Sequence, residues 1–195
     1  SDTLDIIENR PTELTRIKGI SIDKAVSISE QYKMQFGIRD IMIELSKYNI
    51  TPTEATDIFR CLGSKSIEII KQNPYTLCNS TIGFSFERVD EIAVDLGIET
   101  ENIYRIAAGI EFVLKTNLNN GHTCLPENKL LNVSSKFLEI DLSIVQEALY
   151  VMIDSFRLYS QTFDNISYIY LPEYAVAEEF IARRVESILN NNRQL

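Results

Sequence analysis

The sequence predicts a mainly α-helical chain: tandem helix-hairpin-helix repeats followed by a winged-helix-like α+β segment with one β-hairpin. Three observations carry this expectation. Apolar residues recur at helical spacing through most of the chain. Three similar helix–turn–helix segments follow one another in its first half. A single pair of Tyr- and Ile-rich runs, joined by Asp164-Asn165, lies near its end.

Taken in order, helical spacing covers residues 38–48, 52–62, 65–73, 87–96 and 103–118. Gly37, residues 49–52, Gly63, Asn73-Pro74 and Gly97 read as breaks between these helices. Thr51-Pro52-Thr53-Glu54 supplies a cap followed by proline at the first helical position. Ser64 and Ser85 stand where each caps the run that follows. Beyond residue 119 the pattern changes. Residues 122–125 read as a short strand, Pro126 opens a helix near 127–131, and a longer helix covers 142–154. A hairpin of 156–162 and 166–171 comes next, then a helix over about 173–189 and a fraying tail over 190–195. These elements give two domains, a helix-hairpin-helix region over 1–100 and a winged-helix-like segment over 101–195.

The three turns are small–apolar–small: Gly19-Ile20-Ser21, Asn49-Ile50-Thr51 and Gly83-Phe84-Ser85, starting 30 and 34 residues apart. Four residues beyond each lies a small apolar residue, Ala25, Ala55 and Val89, which lets the two helices of a hairpin approach closely. Such a turn presents backbone N–H groups at the positive end of a helix dipole, a combination that favours a phosphate oxygen. Phosphates carry no base information, so a grip of this kind is indifferent to sequence. Ordinary packing of an all-α protein produces similar turns, and only their serial repetition favours the phosphate reading.

Charge separates the three. Residues 14–34 carry Arg16, Lys18, Lys24 and Lys33 against Asp23 and Glu30, a net +2. Residues 46–66 carry Lys47, Arg60 and Lys65 against Glu54 and Asp57, a net +1. Residues 80–100 carry Arg88 against Glu87, Asp90, Glu91, Asp95 and Glu99, a net −4. The expected DNA-backbone contacts are therefore Arg16, Lys18, Gly19, Ile20, Ser21 and Lys24 first. Asn49 and Thr51 come second, and Gly83, Ser85 and Arg88 last. The whole chain has net charge −9, so the expected grip is local, weak and readily screened by salt.

Several segments together resemble RecD/TraA-type helicases, the exodeoxyribonuclease V alpha-subunit-like group. Residues 14–20 (Leu-Thr-Arg-Ile-Lys-Gly-Ile) resemble that family's first hairpin, and Ile38-Arg39-Asp40-Ile41-Met42 the helix after it. Asn73-Pro74-Tyr75-Thr76-Leu77 is similar to an Asn-Pro-Tyr-x-Leu signature that precedes a Gly-Ile-Gly-Phe hairpin. Gly121-His122-Thr123-Cys124-Leu125-Pro126 is similar to a Gly-His-Thr-x-Leu-Pro segment. Tyr170-Leu171-Pro172-Glu173 and Ala182-Arg183-Arg184 resemble the lead-in to the motor. The resemblance implies an accessory DNA-binding region of an ATP-dependent helicase in recombination and repair. It implies weak contact with single-stranded or junction DNA, downstream motor domains as neighbours, and a cytoplasmic setting. ATP and Mg are expected only of the full-length protein. The family pattern favours Gly-x-Gly; here Ser21, Thr51 and Ser85 replace the second glycine and Asn49 the first. A left-handed backbone at those third positions would strain them.

No G-x-x-x-x-G-K-[ST] occurs, so no ATP hydrolysis is expected of these residues. The absence of an initial Met reads as an excised piece, and no signal peptide or membrane span is expected. Cys61, Cys78 and Cys124 are expected to be reduced thiols in apolar positions, and the lone His122 argues against zinc. His122 beside Cys124, and carboxylate pairs such as Asp90-Glu91 and Glu178-Glu179, read as structural or solvated rather than catalytic. Tyr168 and Tyr170, alternating on one strand, read as packing rather than as base-stacking platforms. A competing reading makes the acidic surface around residues 90–101 a scaffold for a basic DNA-repair protein.

Overall fold

A computed structural model describes residues 2–192. Two compact units are present, one ending at Leu96 and the other beginning at Gly97.

In the first unit, α1 (Asp2–Asn9) leads to a 3-10 turn over Pro11–Arg16, and α2 runs over Ile22–Glu44. The helices α3 (Pro52–Leu62), α4 (Ser66–Gln72) and α5 (Phe86–Asp95) follow. Short 3-10 turns at Ser46–Tyr48, Gly63–Lys65 and Pro74–Cys78 separate them. The core is aliphatic: Ile41, Ile58, Ile70, Leu77 and Ile92 are fully buried. Ala25, Ala55 and Val89, the small residues beyond the three turns, are completely buried as well. Each closes the first turn of its helix, its N–H donating to the C=O of Ser21, Thr51 or Ser85.

Two sequence expectations are corrected here. Gly37 is not a break: α2 passes through it for 23 residues. A Cβ built on Gly37 would overlap the Phe59 ring of α3, so the glycine serves close helix approach rather than termination. Ser64 does not cap α4. The helix begins two residues later, where the Ser66 hydroxyl donates to the Gly63 carbonyl at 2.8 Å.

The second unit is α+β. The helix α6 (Ile103–Asn119), strand β1 (Cys124–Pro126), helices α7 (Glu127–Leu138) and α8 (Leu142–Asp154), strands β2 (Tyr159–Phe163) and β3 (Ile166–Tyr170), and α9 (Pro172–Asn192) occur in that order. The three strands form one antiparallel sheet in the order β1-β3-β2. Asp164 and Asn165 both take positive φ, 47° and 63°, as a tight two-residue hairpin turn demands. Gly109 of α6 repeats the Gly37 device, because a Cβ there would strike Leu138 of α7. The strand expected at 122–125 forms over Cys124–Pro126 instead, its register fixed by Leu125 opposite Ile169 of β3. The helix expected near 127–131 extends to Leu138, and the last helix reaches Asn192; the rest of the expected tail, 193–195, lies outside the described residues. Tyr170 is buried and Tyr168 half-buried, set against Tyr159 and Phe163 of the neighbouring strand.

Replacing Gly37 with Ala tests the close approach. An exposed helical Gly→Ala change gains up to about 1 kcal/mol. Here the overlap with Phe59 reverses the sign, and urea unfolding is expected to show a loss of about 1–3 kcal/mol. A Phe59→Ala background should remove most of that penalty.

Candidate nucleic-acid interface

Each repeat is built from the same local instructions. A residue with positive φ stops the preceding element: Gly19 at 95°, Asn49 at 52° and Gly83 at 74°. An apolar residue then turns inward, with Ile50 and Phe84 buried and Ile20 half-buried. Ser21, Thr51 or Ser85 follows as the helix cap, its hydroxyl oxygen accepting from the N–H three residues on, at 3.3, 3.2 and 3.4 Å. The backbone of these caps is extended, with φ of −76°, −76° and −69°. The strain expected at the third turn position is therefore absent. The left-handed residue is the first of each triplet, and a hydroxyl is better than glycine at the cap.

With the caps superposed, the residue three positions on is Lys24, Glu54 and Arg88, spaced by the same 30 and 34 residues as the turns. These three side chains distinguish the hairpins. In the first, the Lys18 and Lys24 side chains are exposed and make no ion pair among the described residues. Arg16, 81 % exposed, lies 3.6 Å from Glu13. The Lys18, Gly19 and Ser21 amides donate to no protein acceptor among the described residues; of this turn only the Ile20 amide is engaged, with the Ile17 carbonyl at 3.1 Å.

The second hairpin is closed on itself. Glu54 Oε2 accepts from the Thr51 amide at 2.8 Å and from its hydroxyl at 3.0 Å, completing a capping box. Arg88 of the third hairpin then donates Nη1 to Glu54 Oε1 at 2.6 Å and Nη2 to the Tyr48 carbonyl at 3.1 Å. Its guanidinium carbon sits 4.0 Å from the centre of the Phe84 ring, a cation–π contact. Hydrogen bonding from Arg88, then from Thr51, holds the Glu54 carboxyl down at about 2, against 4.5 ordinarily. Of the other cations of the second hairpin, Lys47 pairs with Asp95 at 3.1 Å and Arg60 lies 3.7 Å from Asp57, whereas Lys65 is exposed and makes no ion pair among the described residues.

The third turn spends its Gly83 and Phe84 amides internally, while the Ser85 cap amide donates to no protein acceptor among the described residues. Gly83 N–H donates to the Asn79 carbonyl at 2.8 Å and Phe84 N–H to Leu77 at 3.1 Å. The Asn79 side chain accepts from the Thr81 and Ile82 amides. Tyr75 of the Asn-Pro-Tyr segment stacks on Phe86 and donates its hydroxyl to Asp90 at 2.5 Å. Asp90 is thus held by a partner, unlike the freely solvated carboxylate expected.

Of the expected contact residues, the structure brings Arg16, Lys18, Gly19, Ile20, Ser21 and Lys24 together at one exposed turn. Asn49, Thr51, Gly83, Ser85 and Arg88 lie at or around the joint that Glu54 and Arg88 make between the second and third hairpins. Arg88, expected as a phosphate contact, is turned inward onto Glu54. Sequence reasoning missed the Glu54–Arg88 pair, although the repeat register itself aligns the two residues. Elsewhere, Cys61 is exposed rather than apolar-packed, and Cys78 and Cys124 are half-buried. Among the described residues there is no group of three or more His, Cys, Asp or Glu side chains placed to hold a metal, and no helix long and apolar enough to cross a membrane.

Because Glu54 titrates lower in the folded chain than when unfolded, its pairing stabilises the fold above pH 4.5 and is lost as pH falls from there through about 2. Glu54 and Arg88 are 26 % and 32 % exposed, and allowing for solvent screening the pairing is worth about 1–2 kcal/mol. Thermal melts of wild type and Glu54→Gln should differ in Tm at neutral pH and converge in acid. A difference that stays constant with pH would refute the assignment.

Residues 34–124 match the family model of the HHH domain of the ATP-dependent RecD2 DNA helicase. The match takes in the second and third hairpins and α6, reaches the first residue of β1, and leaves the first turn on its N-terminal side. Residues 34–124 thus match the helix-hairpin-helix domain of the RecD2 helicase type, the family that the Asn-Pro-Tyr and Gly-His-Thr segments resemble.

Proposed function

We propose that this chain is an accessory DNA-binding region of a RecD2-type helicase, gripping backbone phosphates without regard to sequence through its first hairpin. The observation that carries the reading is the exposed turn of Lys18, Gly19 and Ser21 with its unspent amides, flanked by Lys24 and Arg16 without strong ion partners. Amides and the α2 dipole receive a phosphate oxygen, and the lysines supply the long-range attraction. Arg16 joins them as a solvent-facing cation.

The remaining parts have supporting roles. The second and third hairpins hold the first in place through the aliphatic core and α2. The α+β unit, winged-helix-like in its element order, serves as a spacer toward motor domains of the same helicase. Those domains, not these residues, bind ATP and Mg in this reading. The setting is cytoplasmic, and the work is recombination and repair.

Few phosphates are contacted, and the chain is acidic overall, so affinity for single-stranded or junction DNA is expected in the micromolar range or weaker at low salt, falling as salt rises. Fluorescence anisotropy with labelled strands of scrambled sequence measures this. The double change Lys18→Glu, Lys24→Glu should abolish binding while leaving the circular-dichroism spectrum intact. Survival of affinity in that variant would rule out the first hairpin as the contact.

A further inference from the structure

We infer that Glu54 closes the second hairpin to phosphate, with Arg88 as the residue that locks it shut, so that the third residue after each cap decides which hairpin of the array touches DNA. This rests on the phosphate-gripping reading above and adds what restricts it.

The argument begins with equivalent positions. Lys24, Glu54 and Arg88 each stand three residues after a cap of the same extended backbone and hydroxyl bond. At the first, the side chain is a solvent-facing cation and the cap amide of Ser21 is unspent. At the second, the side chain is an anion that already sits where a phosphate oxygen would. Glu54 Oε2 takes both the cap amide and the cap hydroxyl of Thr51, the donors such an oxygen requires. The carboxylate is an internal stand-in for the ligand. At the third, the cation that would attract phosphate is spent on that same carboxylate at 2.6 Å, on the Tyr48 carbonyl and on the Phe84 ring. One contact thus silences two hairpins at once. The pair is only about one-quarter to one-third exposed, so salt screens it less than an open surface pair.

Two consequences follow from charge alone. Displacing Glu54 with a phosphate would place two anions on one turn, which the hairpin resists. Neutralising Glu54 while keeping its hydrogen-bonding shape leaves the cap served by an amide oxygen and returns the Arg88 charge to the turn.

The test is Glu54→Gln in the full chain, with Glu68→Gln as a control that removes one exposed carboxylate from α4. Binding of scrambled single-stranded DNA is measured across a salt series. Glu54→Gln is expected to raise low-salt affinity about tenfold and to steepen the salt slope by about one phosphate, as one added contact requires. Glu68→Gln should change affinity less than about twofold, since it alters only the general field. Adding Arg88→Gln to Glu54→Gln should cancel the gain. Equal gains from Glu54→Gln and Glu68→Gln, or a gain that survives Arg88→Gln, would overturn the inference. The same changes are also made in the Lys18→Glu, Lys24→Glu background. If wild type binds no DNA, the first-hairpin reading fails, while a Glu54→Gln gain in either background still upholds the lock. No gain in either background sinks the lock, whatever wild type does.

Discussion

A helix beginning in a tight turn leaves its first backbone N–H groups without partners, and this chain meets that demand three times with one hydroxyl. Ser21, Thr51 and Ser85 each take the N–H three residues ahead, and each gives its carbonyl to the residue after that. The fourth residue, Ala25, Ala55 or Val89, is thereby carried into the core, where each is completely buried. Cap, helix direction and close packing follow from the same triplet. The left-handed residue before it, glycine or Asn49, is the only unusual backbone that each repeat needs.

Identical scaffolding does not give identical chemistry. A cap uses one donor and leaves others, and the next charged side chain decides whether those remain open. Local charge favours the first hairpin, but the structure makes the distinction sharper than a count does. The second hairpin has a net positive balance in its sequence, yet Lys47 and Arg60 face carboxylates and Glu54 occupies the turn, which leaves Lys65, at the start of the next helix, as its unpaired cation among the described residues. The third spends its cation on the second. Net charge of a segment is a poor guide once side chains pair across repeats.

Much of this was legible in the sequence. The turn triplets, the α3 helix bounded by Thr51-Pro52 and Gly63, the α8 helix, and the Asp164-Asn165 hairpin all carry their own local signals. What escaped depends on residues far apart along the chain. Gly37 looks like a stop until Phe59 is set against it. Arg88 looks like a phosphate ligand until packing delivers Glu54 from 34 residues earlier. The short strand shifted because its register comes from β3, which follows it by some forty residues. The third-position penalty was misplaced because the triplet's left-handed residue is its first, a matter of φ that composition does not reveal.

The length of α2 sets a spacing of its own. At 1.5 Å per residue, its 23 residues form a rod of about 35 Å. The first turn stands at one end of that rod and the second follows the other end. Gly37, seated against Phe59, keeps the middle of the rod braced rather than hinged. One helix therefore serves as second arm of one hairpin and first arm of the next, and its own length is close to ten nucleotide steps of a stacked strand. The repeats share a wall, so the array behaves as a ruler with a marked end rather than as a string of independent fingers.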